Sequence, residues 1–297
     1  MRVSTNLFYD RAAQRMGDLN ARASMLQTQI ATGKKYTNPS ENVAASQQLA
    51  ELDRKDAGDA VFRNNMTVAG SLLKQTDSTL DAITEQLQRA VELTMRASNG
   101  TLSAADRQVI GNELASVRDT LMGLANARDA RGRPLFGSPE GSPAVEKTAS
   151  GYAFNAAVVS DIPIADGQMV QATESAARVF RFGDPAAGED VFTMLSALAE
   201  KLQNGGDAGQ EDMKDLLAAG DNVSIVRASV GARAARVELQ QAILVESSAD
   251  REELRSAIED VDATAAIVEL QKTMTILSAT QSSFTKLQGL SLFDYMR

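Results

Sequence analysis

Near the C-terminal end of the chain the apolar residues Ile267, Leu270, Met274, Leu277 and Phe284 step by three and four, with Gln281 in the one gap. On an α-helix this spacing draws a narrow stripe down one side, as in the seam of a coiled coil, and such a stripe is buried only against a partner helix. Near the other end Met16, Leu19, Ala23, Leu26 and Ile30 repeat the spacing and stop at Gly33, a helix terminator. The two stripes can bury themselves against each other or against another copy of the chain, and both are expected. Leu287, Leu290, Leu292 and Phe293 add to Phe284 more apolar surface than one helix covers. Uncovered surface of that size marks an interaction site.

Proline divides the 297 residues more sharply than hydropathy does. Five of the six prolines fall between Pro134 and Pro185, and the sixth, Pro39, sits in the early turn GKKYTNPSEN. Because proline breaks helix interiors, long helices belong to the two arms on either side of the central segment. The first helix is expected over residues 4–32. A second starts near Val43, with Met66, Ala69, Leu73, Thr76, Leu80, Ile83, Leu87 and Ala90 keeping a heptad beat to a stop at Asn99-Gly100. Ser103 with Asp106 has capping-box spacing for a third helix, whose seam is Ile110, Leu114, Val117, Leu121 and Leu124. Helical pattern resumes near Glu189 with Phe192, Leu195, Leu198 and Leu202. It continues over 210–246, with an interruption expected at Gly220-Asp221 and a break near Ser247–Asp250 before the terminal helix. Gly231 among small residues reads as a site of close helix crossing.

Between Ala130 and Asp190 the pattern changes to strands. Tyr152–Val159, Ile162–Ala165, Gln168–Ala172 and Arg178–Phe182 are rich in β-branched and aromatic residues, and Asp166-Gly167 signals a tight hairpin. The fold class is therefore mainly α: an elongated bundle of long coiled-coil-like helices built from both arms, carrying a small β-rich insert. Three parts are expected: terminal helices (1–42 with 250–297), a helical rod (43–136 with 189–249) and the outer insert (137–188). Residues 1–35 carry six basic residues against Asp10 and Asp18, whereas residues 250–262 carry six acids against Arg251 and Arg255, which favours pairing of the termini. Exposed pairs contribute only about 0–1 kcal/mol each, enough to bias register.

Composition removes most chemistry. The chain has no Cys and no His, so thiol nucleophiles, imidazole bases and the usual zinc sites are absent, and no catalytic, cofactor or metal residue is assigned. A formal charge of −9 gives no basic footprint for nucleic acid. No apolar window is long enough to span a membrane, and the N-terminus lacks the apolar core of a cleaved signal peptide. Ser71-x-x-Lys74 and Ser283-x-x-Lys286 have the serine–lysine spacing of penicillin-recognising enzymes, yet both lie in long helices without companion motifs. Glu259, Asp260 and Asp262 read as a solvated helix face rather than a cation site. Asn99-Gly100-Thr101 and Asn222-Val223-Ser224 fit the glycosylation pattern; a helix end explains the first better.

Several blocks together resemble one family. MRVSTNLFYDRA, QIATGKKYTNPSENVAASQ (29–47), ASNGTLSAADR (97–107), LANARDARGRPLFGS (124–138), DNVSIVRASVGAR (221–233), IEDVD (258–262) and LSLFDYMR are similar in order and position to bacterial flagellins. The MRVST opening and the NPSEN loop resemble the branch of that family at the hook-filament junction more than filament flagellin; Glu41-Asn42-Val43 departs from the two acids and proline common there. The resemblance implies type III export, coaxial terminal helices inside a tubular assembly, and an extracellular place in the flagellum. It implies as partners neighbouring copies of the chain, a hook-side adaptor protein, filament flagellin and an export chaperone. Filament flagellin itself is the alternative, and an enzyme carried by the insert, with Asp161, Asp166, Glu174 and Asp184, is a third reading.

Overall fold

The computed structural model describes residues 2–137, 142–149, 151–155, 161–183 and 189–295, with side chains of residues 2–6, 8, 9 and 287–295 left aside. Among these the helices are α1 (Arg2–Thr32), α2 (Val43–Ala97), α3 (Ala104–Ala125), α4 (Ala176–Phe180), α5 (Val191–Gln203), α6 (Gln210–Glu259) and α7 (Ala263–Tyr295). The strands are β1 (Val145–Thr148), β2 (Gly151–Phe154), β3 (Asp161–Ala165) and β4 (Gln168–Gln171). They form two separate antiparallel hairpins, β1-β2 and β3-β4. Two compact units result, residues 1–57 with 246–297 and residues 58–245, and the division falls within α2 and α6.

The unit of residues 58–245 is built on the heptad read from α2. Met66, Ala69, Leu73, Thr76, Leu80, Ile83, Leu87 and Ala90 are all buried. All but Thr76 meet Ile110, Leu114, Val117 and Leu121 of α3, the Leu195, Leu198 and Leu202 stripe of α5, and Leu216, Val223, Val226 and Val230 of α6 in one hydrophobic cluster. Ser103 caps α3 with the expected box: its side chain accepts from the Asp106 N–H at 3.2 Å, and its own N–H donates to the Asp106 carboxylate at 3.3 Å. Where α3 crosses α5 there is no room for a side chain, since a Cβ on Gly111 would lie 2.8 Å from the Ala199 carbonyl oxygen.

The insert joins this cluster through Phe192, whose ring lies 5.3, 6.2 and 4.8 Å from those of Tyr152, Phe154 and Phe180. Buried Glu174 pairs with Arg178 at 3.1 Å and with Arg233 of α6, which also donates to the Gln171 carbonyl at 2.9 Å. The Asp129 carboxylate closes the turn after α3 by accepting the Arg131 and Arg133 N–H groups at 2.8 and 2.9 Å.

Four expectations are corrected. Arg178–Phe182 is not a strand: helical spacing buries Ala176, Val179 and Phe180 together, and this tertiary gain overrides their β propensity. Strand β2 ends at Phe154, and residues 156–159 of the expected strand lie outside the described residues. Helix α6 runs unbroken through Gly220-Asp221 and Ser247–Asp250. Arg251 and Arg255 hold its later turns against α2 through Asp56, at 2.8 and 2.9 Å, and the chain turns only at Asp260–Asp262. Gly231 is at no close crossing, for a Cβ there would meet open space.

Three outcomes follow for stability. The Thr76 hydroxyl is buried without a hydrogen-bond partner among the described residues, so Thr76→Val is expected to raise the unfolding free energy in urea by about 1 kcal/mol. Gly111→Ala is expected to lower it by about 1–3 kcal/mol, because neither backbone can yield. Burial pushes the Asp129 carboxyl up, but the backbone N–H groups of Arg133 and Arg131 outweigh it and hold it below the usual carboxylate range. The turn's contribution is therefore complete above the unfolded-state carboxylate pKa and is lost as pH falls through the lower folded value. Urea titrations from pH 6 to pH 3 should show that loss, with a flatter profile for Asp129→Asn.

Candidate assembly interface

In the unit of residues 1–57 and 246–297, α1 pairs with α7. On α1 the expected stripe faces inward: Ala23 and Leu26 are buried, and Met16, Leu19 and Ile30 partly so. On α7 the inward line is Ala266, Leu270, Thr273, Leu277, Thr280 and Phe284, spaced four, three, four, three, four, with Ala266, Thr273 and Leu277 buried and the other three half-buried. Leu270, Leu277 and Phe284 of the expected stripe lie on this line. Ile267 and Met274 are not in the seam; they stay 43% and 47% exposed on its flank.

The physical reason is that Ala266, Thr273 and Thr280 are slim enough for α1 to approach. Their polarity is no obstacle, because the Thr273 and Thr280 hydroxyls donate to the Glu269 and Ile276 carbonyls of their own helix at 2.8 and 2.7 Å. A seam in which alanine and threonine alternate with Leu270, Leu277 and Phe284 leaves other large side chains outside. Besides Ile267 and Met274, these are Val268 and Ile276 on α7 and Leu7 and Met25 on α1. Leu287, Leu290, Leu292 and Phe293 lie on the same helix, and their side chains fall outside the described residues. Helix α7 carries four charged residues, Glu269, Lys272, Lys286 and Asp294, in 33 positions.

One end of the seam is stitched by backbone. The Lys35 N–H donates to the Glu259 carbonyl at 2.6 Å and the Val261 N–H to the Gly33 carbonyl at 2.9 Å, so the stop after α1 and the stop after α6 pair like a short antiparallel bridge. Lys34 forms an ion pair with Glu259, and the Lys35 ammonium donates to the Ala257 carbonyl at 3.1 Å. Glu41 closes the following loop by accepting from the Asn38 amide at 2.9 Å and the Thr37 N–H at 3.1 Å, and these bonds hold its carboxyl below the usual range. Asn42 caps α2 and Asp262 caps α7, each accepting from the N–H three residues on. Of the charge pairing expected between residues 1–35 and 250–262, Lys34–Glu259 forms, and Arg22 pairs instead with Glu269 of α7 at 2.9 Å. Arg251 and Arg255 instead turn to Asp56 of α2.

The residues considered for chemistry are spent on structure. Asp260 accepts from the Ser256 hydroxyl while Asp262 caps a helix, and no group of three or more acidic, His or Cys side chains among the described residues could hold a metal ion. The Asn222 amide donates to the carbonyls of Arg178, Val179 and Arg181 at 2.9–3.0 Å. Asn99 accepts from Thr101 at the turn after α2. No described helix is long and apolar enough to cross a membrane.

Sequence reasoning missed Val268, Ile276 and Met25, and it missed the backbone stitch. The signal for the first was present in the seven-residue spacing of Ala266, Thr273 and Thr280, which with Leu270, Leu277 and Phe284 makes a three-four line beside Ile267 and Met274.

Comparison with known proteins agrees with this arrangement. The bacterial flagellin N-terminal helical region matches residues 3–138 and the C-terminal helical region residues 214–296. Flagellar hook-associated protein 3 of Salmonella typhimurium is 26% identical, with all of both chains covered. A flagellin of Listeria monocytogenes is 23% identical over 92% of this chain and 90% of its own. A solved structure of a putative flagellar hook-associated protein from Vibrio parahaemolyticus superposes with a TM-score of 0.67 at 22% identity, covering 74% of this chain and 100% of that one. With both helical regions matched in order around the central insert, and the two terminal helices paired as the seams require, this chain belongs to the bacterial flagellin family.

Proposed function

We propose that this chain is a structural subunit of the bacterial flagellum that joins hook to filament and works by assembly, not catalysis. The observation that carries the reading is the apolar surface left exposed on α7. Ile267, Val268, Met274 and Ile276 stay 43–60% exposed outside the seam, more apolar surface than α1 covers. End-to-end similarity to a hook-associated protein 3 favours the junction over filament flagellin, to which the similarity is lower and shorter. In this reading the chain is exported by the type III route, aided by a chaperone, and residues 1–42 with 250–297 polymerise. Neighbouring copies, the hook-side adaptor and filament flagellin cover the exposed rows.

Deleting the gene tests the reading. Cells should carry hooks without filaments and lose flagellin to the medium; normal filaments in the deletion strain would reject the junction role. Complementation with Ile267→Asp combined with Met274→Asp should leave secretion intact while cutting filament number at least tenfold. In the free monomer, amide exchange in α1 and α7 should be faster than in α3 and α5 by two orders of magnitude or more, since so few side chains bury the terminal helices. Equal protection would contradict assembly through these helices.

A further inference from the structure

Asparagine is followed by glycine at two places in the chain, Asn99-Gly100 and Asn204-Gly205, and both asparagines are exposed. An asparagine side chain can be attacked by the main-chain nitrogen of the next residue, and glycine, with no Cβ, leaves that approach open. The two sites follow helices, α2 and α5, yet their backbones are held differently. After α5 the chain closes in a Schellman motif: the Gly205 N–H donates to the Leu202 carbonyl at 2.9 Å and the Gly206 N–H to the Lys201 carbonyl at 2.9 Å, with Gly205 at φ +82°. The nitrogen that would attack Asn204 is thereby engaged. The turn is also tight, for a Cβ on Gly206 would lie 2.9 Å from the Lys201 carbonyl oxygen.

After α2 the corresponding nitrogen is free. The Asn99 N–H donates to the Arg96 carbonyl at 3.2 Å and the Leu102 N–H to the Asn99 carbonyl at 3.1 Å, but the Gly100 N–H between them has no partner among the described residues. The Asn99 side chain is folded forward over this turn, its Oδ1 accepting from the Thr101 N–H at 3.2 Å and from the Thr101 hydroxyl at 2.9 Å. That posture carries Cγ across the Gly100 peptide. The two donors also sit where negative charge gathers on Oδ1 when Cγ is attacked, an exposed counterpart of an oxyanion hole. Free nucleophile, polarised electrophile and charge stabilisation meet at Asn99 and do not meet at Asn204.

We propose that Asn99 is a site of self-modification. Solvent hydroxide removes the Gly100 amide proton, the nitrogen adds to Asn99 Cγ, and the side-chain nitrogen takes a proton from water, which restores the hydroxide, and leaves as ammonia from a closed succinimide. Water then opens the ring at either carbonyl to give aspartate or isoaspartate. The net change is one water consumed and one ammonia released, with no oxidant or enzyme required. Either product puts a negative charge beyond the C-terminal end of α2, where the helix dipole disfavours it, and isoaspartate adds a carbon to the main chain within the turn from α2 to α3.

The proposal needs only the folded chain and is independent of the flagellar reading. For its test the purified full-length chain is held at mildly alkaline pH and digested at intervals. Amide-to-acid conversion is read at both sites by mass spectrometry, and isoaspartate is scored by labelling with isoaspartyl methyltransferase. In the folded chain Asn99 should convert at least about tenfold faster than Asn204, a barrier difference of about 1.4 kcal/mol. In urea, where neither turn exists, the two rates should fall within about threefold of each other. Equal rates in the folded chain, or faster conversion at Asn204, would overturn the proposal; a tenfold gap that persists in urea would overturn its structural account. Gly100 has no positive φ and open space for a Cβ, so Gly100→Ala should slow conversion at Asn99 by at least about tenfold with circular dichroism unchanged. Thr101→Val keeps the N–H donor, loses the hydroxyl and should slow it several-fold. Unchanged rates in both variants would also overturn the proposal.

Discussion

The seam between α1 and α7 governs how the terminal unit behaves, and it is thin. Two long helices meet through Ala23 and Leu26 on one side and Ala266, Thr273 and Leu277 on the other as their buried residues. Full burial of a leucine contributes roughly 1.5–3 kcal/mol, so these contacts together are modest beside the conformational entropy of ordering two helices of about thirty residues. The backbone stitch of Gly33–Lys35 to Glu259–Val261 and the Arg22–Glu269 pair fix register at little energetic gain. A close but shallow seam is a sound choice for helices that must meet further partners. Slim residues bring the axes together, and what remains outside is large and apolar.

The other unit is organised on the opposite principle. In α2 every position of the heptad from Met66 to Ala90 is covered, and the insert is locked on by aromatic packing around Phe192 and by a carboxylate shared between two arginines. Breaking the Glu174 cluster would strand a buried charge, which is far more costly than losing any surface pair. The same chain thus carries a part that is complete in itself and a part whose apolar surface is left over.

This difference explains what the sequence made legible. The α2 and α3 seams could be read directly because their inward residues are also their most apolar ones, apart from Thr76. On α7 the same logic meets only half of the seam, since Ala266, Thr273 and Thr280 alternate there with Leu270, Leu277 and Phe284 while Ile267 and Met274 face out. Periodicity counts the apolar residues of a helix but cannot tell an inner row from an outer one when both exist. The turn after α6 was misplaced for a related reason. Asp250 and Glu253 have capping spacing, but Arg251 and Arg255 find Asp56 only in the folded unit, and that long-range pairing extends the helix to Glu259. At α4, Val179 and Phe180 look like strand residues until Phe192, distant in sequence, offers a pocket that helical spacing fills.

An outer apolar row beside a shallow inner one also sets the sign of coupling between folding and assembly. Any neighbour that covers Ile267, Met274 or Ile276 binds the ordered helix and not the disordered one, so occupancy adds its binding free energy to the stability of the α1–α7 pair. A helix that is marginal alone becomes firm in place, and disassembly returns it to the marginal state. The apolar surface needed for cohesion would be a liability in a free chain if it were rigid and permanently displayed. In the proposed assembly, placing it on helices held by a few small contacts means that it is fully ordered only where a neighbour covers it.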